Sequence, residues 1–177
     1  MNCIRYLSSS NPVSVLSASH KLYVPPGAPQ DFTSLVDRAT AAMLELPNNA
    51  TATMFCDMAM PGSFLPKFPQ VSAKVSCEGG TLEIFNYPMP TAYHYIVEKR
   101  GEKARTEKVY TFAEGKMEGK GEDWWTTYRY QLEAFVDKLK GRTPQTWLVK
   151  EDAVANMEWV ERIYAKVSKR GHLGLFY

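Results

Sequence analysis

The chain has 177 residues, 45% hydrophobic and 23% charged, with 11 glycines and 11 prolines; this is the profile of one globular domain with enough apolar material for a core, and it excludes collagen-like and disordered classes. The 21 Lys and Arg against 19 Asp and Glu leave a formal charge of +2, too small a surplus to make nucleic acid or an anionic membrane an obligate partner. No apolar run approaches the roughly 20 residues that span a bilayer, and no signal-peptide apolar core precedes Ser8-Ser9-Ser10, so a soluble, cytoplasmic protein is expected. Cys3, Cys56 and Cys77 are odd in number and lack C-x-x-C spacing, which leaves reduced thiols as the expectation.

In chain order, Ile4, Tyr6 and Leu7 read as the tail of an amphipathic helix, making residues 1–7 the remnant of an element begun upstream. Residues 12–18 alternate as a strand and run into the stiff, exposed loop Pro25-Pro26-Gly27-Ala28-Pro29. Residues 38–46, the turn Pro47-Asn48-Asn49 and residues 50–58 read as a hairpin, with Phe55 and Asp57 on one face and Met54, Cys56 and Met58 on the other. A second hairpin is expected over 70–77 and 81–86 around Gly79-Gly80, and a third over 93–99 and 106–112 around Arg100-Gly101.

Two helical patterns follow. The first carries Tyr128, Leu132, Phe135, Val136 and Leu139 on one stripe and stops at Gly141, with Pro144 just beyond. The second has Glu151 and Asp152 in its first turn, is expected to bury Val154, Met157, Val160 and Ile163 or Tyr164, and ends at Lys169-Arg170-Gly171. Strands joined by tight turns and then two helices give an α+β class, with an open, mostly antiparallel sheet of six to seven strands and both helices packed on one face. Two helices cannot cover both faces of such a sheet, so another subunit or domain is expected against the open one.

Motifs for chemistry are sparse. Gly119-Lys120-Gly121 never reaches the third glycine of a dinucleotide fingerprint, there is no Walker loop, and His20, His94 and His172 lack metal-ligand spacing. No metal site is expected. The densest polar and aromatic stretch is Glu122-Asp123-Trp124-Trp125-Thr126-Thr127-Tyr128. It either stacks on and hydrogen-bonds a sugar or polyol, or caps a helix through Thr126 or Asp123 while its indoles close the core. His94, between Tyr93 and Tyr95 on an expected strand, is a substrate contact if it faces a cleft and a partly exposed sheet histidine otherwise. The basic residues from Lys99 to Lys108 alternate with Glu98, Glu102 and Glu107 as on a solvated hairpin, not a nucleic-acid surface. Trp147 and Trp159 are assigned to packing.

Residues 127–135, Lys140-Gly141-Arg142-Thr143-Pro144, residues 151–157 and Ile163-Tyr164 resemble the C-terminal domain of the oxidoreductase family named for glucose-fructose oxidoreductase, inositol dehydrogenase and a rhizopine-catabolism protein. The resemblance is nearest to its fungal sugar and dihydrodiol dehydrogenases. Weaker echoes at residues 2–7, 12–15, 79–82 and 86–88 extend it over essentially the whole chain in the family's order. The resemblance implies a single domain over 1–177 whose sheet walls a substrate pocket and pairs subunits. It further implies that Trp124, Trp125, Thr127 and Tyr128, with His94, form a residual half-pocket. The family's Rossmann domain, its Glu-Lys-Pro lysine and its Tyr or His acid/base after Asp-x-Gly have no counterpart here. Glu98-Lys99-Arg100 and Glu107-Lys108-Val109 lack the proline.

The expectation is therefore the substrate-binding and oligomerisation half of an NAD(P)-dependent sugar or diol oxidoreductase. It has no catalytic residue and no cofactor site of its own, NAD or NADP being implied only for the full-length family, and is silent as this chain alone. The expected partners are a second copy, through the open sheet, and a separate Rossmann-type polypeptide. The competing expectation is a non-enzymatic carbohydrate-binding or self-associating protein derived from that domain.

Overall fold

The computed structural model describes residues 1–29, 32, 36–58, 70–91, 94–108, 110–113 and 118–173. The elements are α1 (Asn2–Ser8), β1 (Ser14–Leu22), β2 (Asp37–Glu45), a 3₁₀ turn (Pro47–Asn49), β3 (Thr51–Asp57), β4 (Ser72–Cys77), β5 (Gly80–Phe85), β6 (Tyr95–Arg100), β7 (Lys103–Glu107), α2 (Thr127–Leu139) and α3 (Lys150–Leu173). The chain divides into two compact units, one of Met1–Lys67 with Val149–Tyr177 and one of Phe68–Leu148. The α+β class and antiparallel pairing expected from the sequence hold. Among the described residues, however, the seven strands are hydrogen-bonded as two sheets, in the orders β1-β2-β3 and β4-β5-β6-β7, rather than as one.

In the first unit, the hairpin expected over 38–58 forms, with Ala42 opposite Met54 and Ala41 opposite Phe55. Asn48 and Asn49 take up left-handed backbone (φ 61° and 59°) in its turn, a conformation asparagine tolerates better than most residues. Ala18, Ala42 and Leu44 form the core against Ile163 of α3, ringed by Met1, Ile4, Val15, Met54 and Val167. On the opposite face of this sheet Met43 and Phe55 are exposed. Arg5 of α1 reaches the start of α3, where it donates to the Asp152 carbonyl (3.0 Å) and pairs with its carboxylate (3.2 Å).

Helix α3 buries Ile163, as expected, together with Trp159, and half-buries Val160, whereas Val154, Met157 and Tyr164 are exposed against expectation. The helix carries two apolar stripes, and the one with Trp159 and Ile163 supplies the bulk that the small Ala18 and Ala42 leave room for. It also continues through Gly171 to Leu173.

In the second unit, β4 to β7 form a meander in which Ala73 pairs with Ile84, and Ile84 with Ile96. The Phe85 and Tyr95 rings stack at a centroid distance of 5.1 Å. The third hairpin turns at Gly101-Glu102 and is shorter than expected, its strands being Tyr95–Arg100 and Lys103–Glu107; Tyr93 lies outside the described residues. Helix α2 ends as the sequence indicated. Gly141 adopts φ 70°, its N–H reaches the Lys138 carbonyl and the Arg142 N–H the Asp137 carbonyl, so two last-turn acceptors are satisfied. The expected stripe is not buried: Tyr128, Leu132, Phe135 and Leu139 are exposed and Val136 is half-buried. The half-buried side is that of Tyr130, Ala134 and Asp137, because Tyr130 is drawn into an aromatic nest with Phe112 and Trp125. Trp147 is half exposed, with Lys138 Nζ 5.4 Å from its ring centroid.

Candidate functional site

The second unit gathers its aromatic residues around the entrance to α2. His94 directly precedes β6 and is buried, not a half-exposed strand residue, because both ring nitrogens are engaged by backbone. The Tyr110 N–H donates to Nε2 at 3.1 Å, which places the ring proton on Nδ1, and Nδ1 donates to the Pro90 carbonyl at 2.9 Å. The histidine thereby ties the chain before β6 to the segment after β7. Tyr110 meets His94 edge-on at 6.0 Å and Phe112 at 4.7 Å, and its hydroxyl donates to the Trp125 carbonyl. The Asp123 carboxylate accepts from the Phe112 N–H at 2.9 Å. Thr126 occupies the helix N-cap without a side-chain cap bond. Asp123 therefore fixes the approach to the helix, and neither residue caps it.

Beside these contacts lies a half-open cavity of about 310 Å³ in which Ile84 and Ile96 supply apolar wall and His94, Tyr110, Thr127 and Tyr130 the polar groups. Most of that polarity is spent, since both His94 nitrogens and the Tyr110 hydroxyl are bonded to backbone. Beside the cavity, the Tyr130 hydroxyl, Trp125 Nε1 and Arg129 Nε are buried with no hydrogen-bond partner among the described residues. Unsatisfied buried groups are few in folded proteins, and three within six positions mark this as a polar site with capacity to spare. Burial above all, then the neighbouring Tyr110 hydroxyl and the carboxylates of Asp123 and Glu122, push the Tyr130 phenol above its ordinary range, so it is a neutral donor at physiological pH. Arg129 lies over the Trp125 ring at 5.0 Å and pairs with Glu133 at 2.6 Å.

Of the residues singled out in the sequence, His94 and Thr127 line the cavity, and Trp125 packs beside it with its ring 5.3 Å from that of Tyr130. Trp124 and Tyr128 are turned outward, 69% and 78% exposed. The sequence reading missed Tyr110 and Tyr130. Tyr130 stands three residues after Thr127, where helical spacing puts it on the same side, and that spacing is the signal that would have found it.

Gly121 backs directly onto the Tyr130 hydroxyl, so a side chain there would collide with it. Among the described residues no cluster of three His, Cys, Asp or Glu is placed to hold a metal ion, and no helix is long and apolar enough to cross a membrane. Cys3, Cys56 and Cys77 are free thiols.

No family model and no curated protein matches the chain. Among solved structures the chain is similar to a putative oxidoreductase from Thermotoga maritima, at TM-score 0.63 and 13% identity over 94% of this chain and 42% of that one. It is also similar to a putative oxidoreductase from Erwinia carotovora atroseptica SCRI1043, at TM-score 0.59 and 16% identity over 93% of this chain and 43% of that one. The fold is thus one that occurs in proteins described as oxidoreductases, and the chain spans less than half the length of these two.

Proposed function

We propose that these residues are the substrate-binding and oligomerisation part of a nicotinamide-dependent sugar or diol oxidoreductase, and that hydride transfer requires a nucleotide-binding domain that these residues do not themselves provide. The observation that carries this reading is the cavity at the α2 entrance, mostly apolar and edged by a few hydrogen-bonding groups of Thr127 and Tyr130, which suits a ring bearing hydroxyls. The likeness to two oxidoreductases over 94% and 93% of the chain supports it.

The test is a titration of the purified chain with a pentose, a hexose and cyclohexane-1,2-diol, read by tryptophan fluorescence, since Trp125 adjoins the cavity. A saturable response to at least one of them, abolished by Ile96→Trp to fill the space, is expected. No response to any, or NAD(P)-dependent turnover by the purified chain alone, overturns the reading. A second reading, a self-associating protein without catalysis, is favoured by Met43 and Phe55, which lie exposed on the sheet face opposite the core of the first unit. Full-length assembly with a nucleotide-binding domain, detected by co-purification, separates the two.

A further inference from the structure

In the first unit, α3 and the chain entering β1 enclose a separate groove of about 250 Å³. One wall is residues 13–15 and the other is Trp159, Arg162 and Lys166, spaced so that they share one side of α3. The Trp159 ring is buried, and the Arg162 guanidinium lies 4.5 Å from its centroid, a stacking that fixes the plane of the fork and leaves its N–H edge available. Arg162 and Lys166 form no ion pair or hydrogen bond among the described residues, although Glu158 stands one turn before Arg162. Two unpaired cations one turn apart repel each other, and an anion placed between them relieves that. Ser14, on the strand wall, donates its hydroxyl to the Glu45 carboxylate of β2 at 2.8 Å.

Strand β1 is also an edge. It pairs with β2 alone, so its outer N–H and C=O groups have no backbone partner among the described residues. A free strand edge, the apolar side chains of Val13 and Val15, and two unpaired cations along the facing helix match one kind of occupant. We propose that the groove docks an extended acidic segment of another protein. The segment adds as a strand along the start of β1, lays an apolar side chain against Val13 and Val15 and sets carboxylates on Arg162 and Lys166. Main-chain pairing supplies the affinity, and the alternating side chains supply the selection for acidic sequence. A small anion uses the cations and leaves the strand edge and apolar wall unused, which is why the peptide is the better match.

The experiment is calorimetric titration of the full chain with three capped hexapeptides: one alternating glutamate and valine, one alternating lysine and valine, and the acidic one N-methylated at alternate amides. The acidic peptide is expected to bind, more weakly as salt rises, and the other two at least roughly tenfold less tightly. Arg162→Gln and Lys166→Gln should each weaken it about tenfold with an unchanged circular dichroism spectrum. Absence of binding, equal binding of the lysine peptide, or equal binding of the N-methylated peptide overturns the proposal. So does succinate binding as tightly as the acidic peptide, which would show an anion site only. A β1-edge dimer of this chain that the peptide does not displace would likewise overturn it by assigning the edge to a second copy.

Discussion

The hydroxyl of Tyr164 donates to Asp37 Oδ1 at 3.0 Å, joining α3 to the start of β2 across 127 residues of sequence. The other oxygen of the same carboxylate accepts from Thr40 Oγ1 at 2.5 Å. With both oxygens engaged, Asp37 is a fixed anchor for the helix on its sheet. Tyr164 is 40% exposed, so the bond is partly screened by water and sits at the lower end of its class. Tyr164→Phe should therefore cost about 0.5–1 kcal/mol in urea denaturation, and Asp37→Ala, which leaves two donors behind, more than that.

The same contacts set opposite pH limits. The hydrogen bonds from Thr40 and then Tyr164 hold the Asp37 carboxyl below its ordinary value of 3.8. Its contribution is complete above that value and is lost as pH falls through the lower folded-state pKa. The bond to Asp37, and next burial, hold the Tyr164 phenol above its ordinary value of 10.0; that contribution is complete below 10 and is lost as pH rises through the higher folded-state pKa. Asp37→Asn should accordingly flatten the acid limb of a plot of denaturation midpoint against pH below about pH 4, and Tyr164→Phe the alkaline limb.

His94→Ala removes the acceptor of the Tyr110 N–H and the donor to Pro90, and leaves a hole in a buried position. A loss of roughly 2–4 kcal/mol is expected. His94→Gln, which can replace one of the two bonds, should recover part of it. The measurement is urea denaturation followed by tryptophan fluorescence, with ligand titrations on the Gln variant to separate folding from binding.

Tyr130 and Gly121 form a steric pair. Because the Tyr130 hydroxyl is buried and without a partner, Tyr130→Phe should be neutral or slightly stabilising. Gly121→Ala drives a methyl into that hydroxyl and should cost about 1–3 kcal/mol. Tyr130→Phe removes the closest of these contacts and leaves the one to the ring carbon Cζ at 2.9 Å, so the double variant should be more stable than Gly121→Ala alone while still less stable than Tyr130→Phe. Additive losses in a double-mutant cycle would contradict this geometry.

Leu44 is fully buried and Phe55 is 73% exposed on the other face of the same sheet. Leu44→Ala should cost about 3 kcal/mol, whereas Phe55→Ser should change the stability of the monomer by no more than about 0.5 kcal/mol. If the outer face pairs copies, Phe55→Ser also shifts sedimentation toward the monomer.

Local pairing was legible in the sequence because its signals are local. Pro47-Asn48-Asn49 marks a turn by backbone preference, alternation assigns Met54 and Phe55 to opposite faces, and Gly141 ends α2 through its left-handed backbone. The division into two sheets was not legible, since a period of two identifies neighbours within a hairpin and says nothing of which hairpins share an edge. The facing of α3 was legible only in part, Ile163 being buried as expected and Val154 and Met157 not, for a related reason. Val154 with Met157 and Trp159 with Ile163 both satisfy helical spacing, and only the small residues of a distant strand choose between them. At the candidate site, His94 and Thr127 stood out chemically. Tyr110 did not, because its role comes from a hydroxyl reaching the Trp125 carbonyl across a loop.

One unit is written into the middle of the other, since Phe68–Leu148 separates Met1–Lys67 from Val149–Tyr177. During translation, β1 to β3 emerge before this insert and must wait for Ile163 of α3, which follows it, before their interior is sealed. The inserted meander, built only from neighbouring hairpins, can close as soon as it leaves the ribosome. Of the two units, the one whose synthesis starts earlier is thus the one finished later, and in that interval its unsealed strands are open to mispairing.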